Sequence, residues 1–136
     1  MNNRNEYFFG VDPLKFKETN NNIADDIISL ENNVKKLFGK KYNKDKKEIT
    51  KEYISSTQLR SLYDKIKHCN NVEQIKLLYP KVLYVAARQS KDEGKKIVIE
   101  IANIIKVIVG MDDLRAFKMF MEALLSYQKF HYPSKN

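Results

Sequence analysis

The chain has no tryptophan, one cysteine, three prolines and four glycines in 136 residues. Each scarcity removes a class of protein. A single thiol, Cys69, cannot form an intrachain disulfide, so a disulfide-stapled scaffold is excluded and a reducing compartment, the cytoplasm, is expected. So few glycines and prolines supply too little turn chemistry for a many-stranded β fold and favour a few long helices. Long apolar runs are missing as well. The most apolar stretch, residues 97–110, is interrupted by Glu100 and Lys106 and is shorter than the roughly 20 residues a membrane span requires. The opening MNNRNEYFFG lacks the basic start and apolar run of a signal peptide. Catalytic signatures are also absent: there is no G-x-x-x-x-G-K-[ST] loop, no G-x-S-x-G and no H-E-x-x-H. His68 and Cys69 are adjacent, so their side chains diverge along a helix, and His131 is remote. The pairs Asp25–Asp26 and Asp112–Asp113 read as acidic first turns stabilised by helix N-termini. No catalytic residue, metal ligand or cofactor is therefore expected.

What the chain has is positive charge. Lysine and arginine outnumber aspartate and glutamate 25 to 17, giving a net charge of +8. Clustered cations gain by releasing counterions from a polyanion, so nucleic acid is the natural partner class. A chain rich in lysine, asparagine and isoleucine also fits an AT-rich genome, in which many lysines touch nothing. Hydrophobic residues at 43% and charged residues at 31% describe a globular composition.

The pattern predicts an all-α fold, a single-domain bundle of five or six helices over residues 23–132, preceded by a loosely ordered arm over residues 1–22. The arm is polar except for aromatic and aliphatic residues such as Phe9, Val11 and Phe16, which have either a partner or the core to dock on. Ile23, Ile27, Leu30, Val34 and Leu37 follow the helical period, with Asn22 placed to cap the start and Gly39 to end it. Residues 39–54 read as a basic linker loop, since GKKYNKDKKEIT holds five lysines. Ser55 and Gln58 have capping-box spacing ahead of the stripe Leu59, Leu62, Tyr63, Ile66. Asn71 and Gln74 repeat the signal before Val72, Ile75, Tyr79, Val82 and Ala86, where Pro80 should kink or split the helix. Residues 97–109 are rich in β-branched side chains, yet Glu100, Asn103 and Lys106 fall on one helical face, so helix is predicted. Gly110 closes it, Asp112 or Asp113 caps the next, and a last helix runs to about His131.

The basic residues of this pattern avoid the apolar stripes. Arg60 and Lys67, seven residues apart, point within about 20° of each other and lie roughly 10.5 Å apart along a helix, enough to meet different phosphates of one strand. Lys81 and Arg88 repeat that geometry, with Tyr84 between them, either stacking on a base or ribose or buried. Lys129, in the polar stripe of the last helix, joins them as a candidate RNA contact. The rest of that helix is apolar on two faces. Phe120, Tyr127 and Phe130 belong to the second face, available for a subunit interface or for central packing.

Three segments, STQLRSLYDKIK (Ser56–Lys67), LLYPKVLYVAAR (residues 77–88) and FMEALLSYQKF (residues 120–130), occur in an order that resembles the small helical subunit, the second Csm subunit, of the type III-A CRISPR-Cas Csm interference complex. The resemblance implies a non-catalytic RNA-binding subunit of antiviral defence, present in more than one copy. Its partners would be crRNA and target RNA, the backbone subunits, the large signalling subunit and neighbouring copies of itself, with no membrane. It would hold target RNA and the guide–target duplex by the backbone, without reading sequence, and help filament assembly. The family often has glycine before the arginine matched by Arg88, where Ala87 stands here. Two other classes compete: a structural helical adaptor, and a helix-turn-helix DNA-binding regulator. The second is disfavoured because Leu77, Tyr84 and Val85 make its recognition helix apolar nearly all round.

Overall fold

The computed structural model describes residues 7–42 and 48–132. Among these are six α-helices: α1 (Ile23–Leu37), α2 (Ser56–Lys67), α3 (Val72–Leu77), α4 (Tyr79–Ala87), α5 (Asp92–Val107) and α6 (Met111–His131). The fold is an all-α bundle, as the periodicities predict. α6 is its axis, packed by α1, α2 and α3, while α4 lies along α5. Leu114, Ala116, Phe117, Phe120, Met121 and Leu124 are all buried on α6, so most of its apolar circumference is satisfied within the chain.

Local signals set several helix starts. The Ser55 hydroxyl accepts from the Gln58 backbone N–H at 3.1 Å, and the Asn71 side chain accepts from that of Gln74 at 2.9 Å. Each satisfies a donor that the first turn leaves without an intrahelical partner. Pro80, in the first turn of α4, splits the segment at Leu78. The β-branched run is helical and begins earlier than the apolar residues alone suggest, at Asp92, because Asp92 and Glu93 complement the positive end of the helix. At its other end Lys76 Nζ donates to the carbonyls of Ile105 and Lys106, at 2.7 and 2.8 Å, so a cation closes the negative end.

Three expectations about caps are corrected. Asn22 precedes α1 but its side chain makes no capping bond; the nearby Asn20 side chain instead donates to Lys15 O and to Asp26 Oδ2, each at 2.8 Å. Gly110 does not close α5, which ends at Val107; it is the residue from which α6 starts. Asp113 reaches back to accept from the Val109 N–H at 2.9 Å.

The stretch read as a basic loop carries regular structure at both ends. Gly39–Tyr42 (β1) pairs antiparallel with Glu48–Glu52 (β2), with Gly39 opposite Glu52 and Lys40 opposite Lys51. Residues 43–47, with three of its lysines, lie outside the described residues. The ladder is anchored from afar: the Tyr132 hydroxyl, on a fully buried ring, donates to Lys35 O at 2.5 Å and lies 2.9 Å from Gly39 O. Beyond β2, Gly94 in the first turn of α5 sits against the Tyr53 carbonyl so closely that an added Cβ would lie 2.2 Å from that oxygen.

Residues 7–22 dock on the core. Phe9, Val11 and Phe16 are buried, and the rings of Phe9 and Phe16 lie 5.2 and 6.2 Å from that of Phe120, edge to face. Gly10 permits the turn with φ of +79°, and its carbonyl accepts from Ser29 of α1 at 3.0 Å. A 3₁₀ turn, Pro13–Lys15, follows, its first turn closed by the Asp12 carboxylate accepting from Leu14 N at 3.0 Å. The first six residues lie outside the described residues.

Candidate nucleic-acid interface

α2 is amphipathic with two polar flanks. Leu59, Leu62 and Ile66 face inward. At about 100° per residue, Arg60, Tyr63 and Lys67 share one flank, and Gln58, Ser61 and Lys65 share the other. α6 borders the first and α4 the second, so each flank is one wall of an open groove.

In the α2/α6 groove Arg60 meets Leu125, Ser126, Lys129 and Phe130. One turn further along α2, Tyr63 faces Glu122 of α6. Burial, then the neighbouring Glu122 and Asp64 carboxylates, hold its phenol above the usual range despite the opposing Arg60. The Lys67 ammonium lies 5.9 Å from the Tyr63 ring centre. In the α2/α4 groove Gln58, Ser61 and Lys65 face Tyr84, Val85, Arg88 and Gln89. Tyr84 is 63% exposed, which removes the buried alternative for it. The Arg88 guanidinium lies over its ring at 5.6 Å, a cation–π contact that also orients the fork. Lys81 is exposed on the Tyr84–Arg88 face of α4 but lines neither groove.

The structure thus divides the sequence-predicted set. Arg60 and Lys129 come together from helices about seventy residues apart in sequence. Tyr84 and Arg88 come together with a residue that seven-residue spacing missed, Lys65. The stripe Gln58, Ser61, Lys65 is itself legible at positions i, i+3 and i+7 as a polar flank. Phe120, a candidate interface residue, is 0% exposed, so in this chain it serves central packing. Tyr127 is half-buried, its hydroxyl 3.4 Å from the Ile27 carbonyl of α1. Phe130 is 78% exposed. Among the described residues no group of three histidine, cysteine or acidic side chains is placed to hold a metal ion, and no helix is long and apolar enough to cross a membrane.

The chain is thus an all-α bundle with cation-lined grooves on both flanks of one helix. A family model described as Csm2 Type III-A matches residues 31–134, and the chain belongs to that family, the small subunits of the type III-A CRISPR-Cas Csm complex. No curated protein and no solved structure matches it.

Proposed function

We propose that this Csm subunit holds RNA, both crRNA-paired and free target, by its backbone along the two flanks of α2, in the cytoplasm and without catalysing a reaction. The observation that carries the reading is the α2/α4 groove, where an exposed tyrosine lies under an arginine beside Lys65. A guanidinium fork suits phosphate, and the open ring face suits a base or ribose. Arg60, Lys67, Lys81 and Lys129 extend the cationic surface to further phosphates. None of these contacts reads a base edge, so sequence selection is left to pairing with the guide. Exposed apolar residues such as Leu77 and Val109, at 73% and 85% exposure, are available to other Csm subunits and to neighbouring copies in a filament.

The test is RNA affinity against salt for the reconstituted Csm assembly, with the wild-type chain and with Arg60, Lys67, Lys81 and Arg88 all changed to alanine. Each lost phosphate contact is expected to lower the magnitude of the salt slope by about one, equally for unrelated sequences. Coincident slopes from two fully assembled complexes would remove the RNA role. Tighter binding of duplex DNA than of single-stranded RNA by the chain alone would favour a DNA regulator.

A further inference from the structure

Phe130 is a large apolar side chain with no place in the core. It is the most exposed of the described phenylalanines, and it stands on the last turn of α6 in the groove that Arg60, Ser126 and Lys129 also line. None of the five residues lining that groove is acidic. An apolar protein helix laid over Phe130 would strip water from the Arg60 guanidinium and supply no acceptor in return, a cost that disfavours such an occupant. A nucleotide has the complementary pattern. Its base offers a flat apolar face to the ring, and the phosphates on either side of it meet the cations.

The ring is also held ready. His131 stands perpendicular to it with ring centres 5.0 Å apart, and His131 Nε2 is fixed at 2.8 Å from Glu31 Oε2 of α1. A ring braced in this way loses little freedom on stacking. We infer that Phe130 is a stacking platform for one unpaired base of single-stranded RNA, with Arg60 and Lys129 taking the flanking phosphates. This rests on the RNA-holding reading and adds to it a strand type and a new contact residue. A base already paired within a duplex keeps its faces covered by its neighbours, so the α2/α6 groove selects unpaired RNA by a criterion that the cations alone do not supply.

The absence of tryptophan provides the test. Phe130→Trp makes the full chain a single-tryptophan protein whose emission reports directly on this position. Titration with oligouridylate is expected to quench that emission saturably, whereas the same length of fully paired RNA and inorganic polyphosphate leave it unchanged. In parallel, Phe130→Leu keeps an apolar side chain without the ring and is expected to weaken oligouridylate binding about tenfold, with Phe130→Tyr restoring it. Because the side chain is outside the core, unchanged helical circular dichroism accompanies all three variants. Wild-type binding of oligouridylate that Phe130→Leu leaves within twofold, with no tryptophan quenching, overturns the stacking role while the RNA reading stands. No binding of RNA by the wild-type chain, alone or assembled, overturns both. Failure of Phe130→Leu to join the Csm assembly, with its RNA affinity intact, assigns the ring to a protein contact and also overturns it.

Discussion

Phe120 and Phe130 stand ten residues apart on one helix and have opposite surroundings. Phe120 is enclosed, its ring met edge-on by Phe9 and Phe16 from the N-terminal segment. Phe130 is open, on the flank facing α2, with Arg60 and Lys129 for company. The contrast teaches that an apolar face of a helix is not by itself an interface. Its fate depends on which distant segment arrives to cover it. Here a polar-looking arm covers one stretch of α6 and nothing else among the described residues covers the other.

The largest test of that contrast is Phe120→Ala. Loss of a fully buried ring packed by two rings of the N-terminal segment is expected to cost about 3–5 kcal/mol in denaturant unfolding. A cost near zero would mean that the arm does not seal α6 in solution. Next in size is Gly10→Ala. It forces alanine into φ of +79° and places its Cβ 2.0 Å from Asn33 Nδ2, which itself donates to Ser29 O at 2.8 Å. About 1–3 kcal/mol of destabilisation is expected, with faster proteolysis of residues 7–22. Phe130→Ala, by contrast, should change unfolding free energy by less than about 0.5 kcal/mol. A larger value would erase the distinction between the two rings.

The smallest effect concerns Tyr63, whose phenol is held above the usual 10.0, first by burial and then by Glu122. A raised value in the folded state means that the native chain keeps the proton where the unfolded chain has lost it. Stability should therefore be intact below pH 10.0 and fall as pH rises through the folded value. Alkaline melting of Tyr63→Phe should fall less steeply than that of wild type. Identical pH profiles would mean that neither burial nor Glu122 holds the phenol up.

The same contrast separates what the sequence discloses from what it conceals. The starts of α2 and α3 were legible because Ser55 with Gln58 and Asn71 with Gln74 make their capping bonds within one turn. The division at Pro80 was legible for the same reason, since ring and missing N–H act on adjacent residues. The arm's aromatics were legible as docking residues, but the choice between a partner and the core, and Phe120 as the ring that Phe9 meets, were not, because the contact spans most of the chain. The β1–β2 ladder was hidden by its lysines, which read as a solvated run, and by an anchor in Tyr132 far downstream. The candidate contacts were legible singly, by their avoidance of the core stripe. Their grouping was not: only the packing of α2 between α4 and α6 puts Lys65 beside Arg88 and Phe130 beside Arg60.

Tyr132 also bears on the order of events at the ribosome. The two carbonyls that it clasps belong to residues 97 and 93 positions earlier, so the end of α1 and the first strand emerge long before their anchor exists. At elongation rates of about 5–20 residues per second that interval is on the order of 5–20 s. During it the Lys35 and Gly39 carbonyls wait for that hydroxyl, and the arm can cover Phe120 only once α6 has been made. These two long-range contacts therefore form late, only after α6 and Tyr132 have been synthesised. Slow synthesis through α6 prolongs exposure of the early segments instead of giving them time to finish.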